Sequence, residues 1–72
     1  MNYQYLIYFK TVAELQHYTR AAEALFITQP ALSKAIRNLE HELGVSLFQK
    51  EGRNVILTSY GTLFYEYVKR AV

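Results

Sequence analysis

The sequence lacks several features on which small proteins rely for stability. Its 72 residues include no cysteine, so disulfide bonds and thiolate metal sites are excluded. Two histidines are a poor basis for a metal site, and we predict none. A chain of this length forms one domain with a marginal core. Association with a partner is therefore the remaining way to add stability.

The sequence also lacks a long hydrophobic run and a strong excess of charge. Its apolar runs are short, as in the stretch 24–27, whereas about 20 residues are needed to cross a bilayer. The start lacks the layout of a signal peptide, so we expect a soluble, cytoplasmic protein with no membrane partner. With 51% hydrophobic residues the chain is too apolar to be disordered. The net charge of +2 permits an acidic partner without requiring one.

Catalytic motifs are missing as well. The three glycines are scattered, so there is no glycine-rich loop to bind a phosphate. Ser33 and Ser59 have no histidine or acid at a spacing that would activate a nucleophile. We predict that this domain is not an enzyme and needs no cofactor.

Apolar residues that recur every three or four positions predict four helices. The first covers residues 3–16, and a short second helix covers 20–25 after an N-cap at Thr19. The third covers residues 29–43 after an N-cap at Thr28. Pro30 lies in its first turn, where the missing N–H costs no hydrogen bond. Gly44 is a natural stop.

The second half of the chain predicts a hairpin and a last helix. Two short β-like runs, 46–50 and 54–57, flank a loop that contains glycine. A helix capped by Thr58 or Ser59 then runs to residue 72. Three helices, a hairpin and a helix predict a mainly α, winged helix-turn-helix fold. Residues 1–58 form the winged domain in this prediction, and the uncapped end indicates that the chain is part of a longer protein.

Two helix faces are candidates for binding. Placing the leucines of the third helix inward turns Ser33, Lys34 and Arg37 outward, where they can contact DNA or only solvent. The major groove is wide enough for a helix. The last helix carries an apolar stripe that is wide for so small a body. It predicts a protein interface or packing on this domain itself; its residues are Tyr60, Leu63, Phe64, Tyr67 and Ala71.

Three segments resemble the LysR-type transcriptional regulators. They are TRAAEAL at 19–25, TQPALSKAI at 28–36 and LEHELGVSLF at 39–48. Arg53, Leu57-Thr58 and Gly61 are similar to the wing and the start of the linker helix of that family. The resemblance implies a DNA-binding domain at residues 1–58 and the beginning of a dimerising linker helix at residues 59–72. It also implies a C-terminal effector-binding domain that is absent from this chain.

The resemblance implies a sequence-specific domain that reads an interrupted inverted repeat of double-stranded DNA as a homodimer at the bacterial nucleoid. The third helix lies in the major groove, where Gln29 can pair with adenine, and Arg53 lies in the minor groove. A small-molecule effector binds only the missing domain. The expected DNA contacts are Thr19, Arg20, Thr28, Gln29, Pro30, Ser33, Lys34, Arg37, Lys50 and Arg53.

Two alternatives to DNA binding remain at this point. Winged helices also bind proteins, in which case charge reversal on the third helix leaves partner binding intact. A ligand-binding or catalytic domain would need a sizeable polar pocket, which 72 residues can hardly enclose.

Overall fold

Residues 2–72, the part of the chain that the structure describes, form four helices and one antiparallel hairpin. Residue 1, with which the predicted winged domain begins, lies outside the described residues. The order confirms the predicted, mainly helical winged helix-turn-helix. In this computed structural model the elements are α1 (Tyr3–Leu15), α2 (Tyr18–Leu25), α3 (Gln29–Leu43), β1 (Phe48–Glu51), β2 (Asn54–Leu57) and α4 (Ser59–Ala71).

The first two helices differ from the prediction at their ends. α1 is one residue shorter, because Gln16 adopts a left-handed conformation with φ 56°. α2 begins at Tyr18 instead of Arg20, so the predicted N-cap at Thr19 is wrong. The cap is His17, whose Nδ1 accepts the backbone N–H of Arg20 at 3.2 Å. An imidazole nitrogen can satisfy an unpaired N–H of the first turn as a hydroxyl does.

The hairpin is shifted relative to the prediction. β1 begins at Phe48, two residues later than predicted. Glu51, which was predicted in the loop, is the last residue of β1 and pairs with Asn54. The turn therefore consists of Gly52 and Arg53 alone, and Gly52 has the positive φ of 64° that such tight turns require. β2 covers the predicted residues.

The core lies between the three N-terminal helices, the hairpin and one side of α4. Phe9 is at its centre, with ring centroids 5.3 Å from Phe48 and 5.0 Å from Phe64. Aromatic pairs at these separations add to the stabilisation from burial alone. The largest fully buried side chains are Phe9, Leu32, Ile36, Leu39, Leu47, Val12 and Val68.

One threonine fastens the start of α4 to the segment before β1. Thr58, one of the two predicted candidates, is the N-cap, and its Oγ1 accepts the N–H of Gly61 at 3.0 Å. The same hydroxyl donates to the carbonyl of Ser46 at 2.6 Å, and the N–H of Thr58 donates to the carbonyl of Leu47 at 3.0 Å. α4 therefore leaves the domain from a fixed point. None of the described helices is long and apolar enough to cross a membrane.

Candidate nucleic-acid interface

The N-terminal half of α3 presents polar side chains on its exposed face. Thr28 caps the helix as predicted, and its Oγ1 accepts the N–H of Ala31 at 3.2 Å. Gln29, Pro30, Lys34 and Arg37 are exposed, and Ser33 is half-buried. Gln29 donates from Nε2 to Ser33 Oγ at 2.9 Å. This bond holds the amide of Gln29 against the helix and leaves its oxygen free to accept a bond.

An open groove of about 380 Å³ lies between the start of α3 and the hairpin. It unites four predicted DNA-contact residues from three elements: Thr19, Gln29, Lys50 and Arg53. Lys50 and Arg53 supply positive charge, and no acidic side chain lines the groove. The other lining residues are His17, Tyr18, Gly52 and Val55. We call this the wing groove.

Other predicted contacts lie outside the wing groove. Arg37 lines a separate depression near the C-terminal end of α3, together with Glu40 and His41. Arg20, Thr28, Pro30, Ser33 and Lys34 are at neighbouring positions of α2 and α3 and do not line the groove.

The cations of this face are free of ion pairs. Within residues 2–72, ion pairs join Lys10 to Glu14 at 3.1 Å and Lys69 to Glu66 at 3.0 Å, on α1 and α4. The cations of the face are all exposed, and within the same residues none has an ion-pair partner. They are Arg20, Lys34, Arg37, Lys50 and Arg53. Such unpaired charges can neutralise phosphates without first breaking an internal bond.

The half-buried carboxylate of Glu40 positions the hairpin against α3. Glu40 Oε2 accepts the backbone N–H of Leu47 at 2.7 Å and that of Phe48 at 3.3 Å. These bonds replace the strand pairing that was predicted from residue 46, which explains the later start of β1. On the other side of the hairpin, the N–H of Val55 donates to the carbonyl of Gln16 at 3.0 Å. The wing is thus held at both strands.

Four residues of the wing groove were not among the predicted contacts: His17, Tyr18, Gly52 and Val55. His17 was interpreted as an ordinary surface residue, although it caps α2. The Tyr18 ring packs edge-on against Phe48, with centroids 6.2 Å apart. Burial raises the pKa of Tyr18 to about 12, the negative charge of Glu40 adds to this, and Arg37 opposes it. His17 and Tyr18 had no clear signal in the sequence, because α2 was predicted to begin only at Arg20.

Tyr18 predicts a loss of stability at alkaline pH. Its pKa is raised from the ordinary 10.0 to about 12 in the folded state, so folding favours the neutral phenol. The resulting stabilisation is complete below pH 10.0 and is lost as the pH rises from 10.0 to about 12. We expect the free energy of unfolding of Tyr18→Phe to fall less steeply with pH than that of the wild type over this range. Chemical denaturation at several pH values measures this free energy; an equal pH dependence for both proteins would contradict the prediction.

A second surface, apolar in character, lies between α4 and the end of α3. Its groove of about 320 Å³ is lined by Leu43, Val45, Leu47, Tyr60, Leu63, Phe64 and Tyr67. We call it the α4 groove. Leu63 is 72% exposed, Tyr67 59% and Tyr60 58%. Phe64 also packs on the core, which is one of the two uses left open by the sequence.

The α4 groove contains residues that were not predicted and omits one that was. Leu43, Val45 and Leu47 were not among the predicted interface residues. Leu43 ends α3 and the other two follow it, and all three meet α4 only in the fold. Ala71 lies nearer the end of α4, beside Arg70 in another shallow depression that also includes Leu63 and Tyr67.

The fold and the wing groove define a winged helix-turn-helix domain with a positively charged exposed face. Residues 3–62 match the family described as bacterial regulatory helix-turn-helix protein, lysR family. The chain belongs to this family. Its relatives are named as transcriptional regulators, in agreement with the prediction that the domain is not an enzyme.

Two relatives illustrate the extent of the match. YybE of Bacillus subtilis (strain 168), an uncharacterized HTH-type transcriptional regulator, is 49% identical over 69 residues, or 96% of this chain and 24% of that protein. The HTH-type transcriptional regulator BudR of Klebsiella aerogenes is 52% identical over 66 residues, or 92% and 46%. The chain therefore spans less than half the length of these two relatives.

Solved structures of DNA complexes share the fold closely. The DNA-binding domain of BenM with benA site 1 DNA has a TM-score of 0.94 and 44% identity, and the match covers 99% of this chain and 83% of that one. The DNA-binding domain of CbnR in its DNA complex has a TM-score of 0.93 and 35% identity, with 99% and 82% covered.

Proposed function

We propose that this chain is the sequence-specific, double-stranded DNA-binding domain of a LysR-type transcriptional regulator. The observation that carries the proposal is the wing groove. There the start of α3 and the hairpin together present the unpaired cations Lys50 and Arg53 and the side-chain amide of Gln29, which can bond to a base. The similarity to BenM and CbnR domains that bind DNA supports it. The domain acts in the cytoplasm, at the nucleoid, without a cofactor.

The residues of this face divide into two roles. α3 lies in the major groove, where Gln29 pairs with a base edge and Pro30 contacts a thymine methyl group. Arg53 at the tip of the hairpin enters the flanking minor groove. The remaining contacts fix the register of the protein on the phosphates and carry little sequence information; they are Thr19, Arg20, Thr28, Ser33, Lys34, Arg37 and Lys50.

Two copies of the domain pair through the α4 groove to read an interrupted inverted repeat, since the symmetry of a dimer is mirrored in its site. The exposed side chains of Tyr60, Leu63 and Tyr67 support this pairing, with Phe64 beside them in the groove and Ala71 exposed further along α4. One copy makes few phosphate contacts, and the second copy supplies affinity through multivalency. A small-molecule effector binds a domain outside this chain.

A salt series tests the proposal. Fluorescence anisotropy on a pool of inverted-repeat duplexes should give a log affinity that falls linearly with log salt, by about 0.9 per phosphate contact. We expect Arg20→Ala to reduce this slope by about 1.8, because a dimer loses two contacts.

Lys69→Ala is the matched control, because Lys69 is a cation on α4 that already pairs with Glu66. Its slope should equal that of the wild type. A wild-type slope near zero, or equal effects of the two substitutions, would contradict DNA binding through this face.

A further inference from the structure

α4 has polar attachments to the rest of the domain at two points, in addition to the apolar packing of Phe64 and Val68 on the core. The first is its N-terminus, where Thr58 and Gly61 lie against the segment before β1. The second lies one turn further on, where Tyr65 Oη donates to Glu14 Oε2 at 2.8 Å. This bond joins residues 51 positions apart and connects α4 directly to α1. This solvent-exposed bond adds a second polar attachment, on the α1 side of α4.

The second attachment is part of a chain of polar contacts. Glu14 is also paired with Lys10 at 3.1 Å, so its carboxylate is held from both sides. The hydrogen bond from Tyr65, followed by the charge of Lys10, lowers the pKa of Glu14 below its ordinary value of 4.5 despite partial burial. Glu14 is therefore a charged acceptor at neutral pH. Lys69 Nζ lies 5.6 Å from the centroid of the Tyr65 ring.

Apolar contacts also hold α4, because Val68 and Phe64 pack on the core. The bond between Tyr65 and Glu14 adds a directional polar contact to this packing. A hydrogen bond between a phenol and a carboxylate requires a defined distance and angle. Its position on the α1 side, away from the residues of the α4 groove, leaves the dimer surface open.

We propose that the Tyr65–Glu14 hydrogen bond is a positioning element that sets the spacing between the two DNA half-sites which a dimer reads. The inference rests on the proposed function. Because two copies meet through α4, the direction of α4 relative to α3 determines how far apart the two α3 helices lie. Each added base pair moves a half-site by about 3.4 Å and turns it by about one tenth of a turn. Even a modest change of helix direction therefore alters the preferred spacing.

The test measures affinity for inverted repeats whose central spacer is varied by one base pair at a time. The variants are Tyr65→Phe, which removes only the hydroxyl, and Glu14→Gln, which weakens the acceptor. Tyr3→Phe is the matched control, because Tyr3 is an exposed tyrosine at the start of α1. We expect the wild type and Tyr3→Phe to prefer one spacing. In Tyr65→Phe the ratio between the best spacing and its neighbours should fall by about threefold.

A double variant, Tyr65→Phe with Glu14→Gln, tests whether both substitutions act through the same hydrogen bond. Glu14→Gln should flatten the profile less than Tyr65→Phe, because the amide oxygen still accepts the bond more weakly. Adding Glu14→Gln to Tyr65→Phe should change nothing further, since the bond is already absent. If Tyr65→Phe lowers the affinity equally at every spacing, or leaves the profile unchanged, the positioning role is wrong while the proposed function stands. If the wild type binds no duplex of any spacing, the proposed function itself is wrong.

Discussion

Gly61→Ala is expected to lower the melting temperature of the domain by roughly 10 °C. Gly61 is buried, and a Cβ there would overlap the carbonyl oxygen of Leu47 and lie 3.0 Å from Leu57 Cδ2. The carbonyl cannot move aside, because it accepts the N–H of Thr58 at 3.0 Å. Overpacking typically costs about 1–3 kcal/mol, and a rigid backbone neighbour places this site at the upper end.

In Gly61→Ala the steric clash and helix propensity act in opposite directions. Alanine favours a helix by about 0.8–1.0 kcal/mol over glycine, so propensity alone would raise the stability. We expect a net loss of about 2 kcal/mol, and about 4–8 °C is lost per kcal/mol in a domain of this size. Ser59→Ala, at an exposed position of the same first turn, should change stability by less than about 0.5 kcal/mol. Thermal unfolding followed by circular dichroism measures both; a stable Gly61→Ala would refute the close approach of α4 to Leu47.

Leu63→Glu is expected to abolish dimer formation and to lower the affinity for an inverted repeat by at least about 100-fold. Leu63 is 72% exposed in the single domain and lines the α4 groove, so it becomes buried when a second copy binds there. A carboxylate buried without a partner opposes association strongly. The loss of affinity follows because linked binding of two modules contributes about 10²–10⁴ over a single one.

Thr62→Glu is the control for the added charge. Thr62 is exposed on α4 directly beside Leu63, and it does not line the α4 groove. Both variants should fold with nearly wild-type stability, because surface substitutions usually change stability by less than about 0.5 kcal/mol. Sedimentation equilibrium and anisotropy then report oligomeric state and binding. A Leu63→Glu protein that still dimerises would place the dimer surface elsewhere.

The parts of the fold with local signals could be predicted from the sequence. α3 has its predicted limits because Thr28 caps its start and Gly44 adopts a left-handed φ of 72° at its end. The cap of α2 could not be assigned in the same way, because Thr19 is the better N-cap by propensity and His17 takes the role through an imidazole nitrogen. Propensity ranks candidates, whereas the geometry of the turn selects one.

Contacts between distant segments left no signal in the sequence. Glu40 lies on the flank of α3 and resembles a solvent-exposed acid, but it accepts the backbone N–H groups of Leu47 and Phe48. The bond between Tyr65 and Glu14 joins the two ends of the chain. Such contacts follow from how the helices pack, and a pattern of apolar positions does not specify them. The exposure of Lys34 and Arg37 could be predicted because α3 has a clear apolar face. The full set of DNA contacts came from the resemblance to LysR-type regulators and stays a prediction.

The central claim is that α3 reads DNA bases directly through Gln29. The most direct test is the ratio of affinities for the best duplex from an inverted-repeat pool and for a scrambled duplex, measured at one salt concentration for wild type and Gln29→Ala. We predict a clear preference in the wild type and none in Gln29→Ala, since a bidentate pair discriminates by about 1–3 kcal/mol. An undiminished preference in Gln29→Ala, or no preference in the wild type, would contradict direct readout by α3.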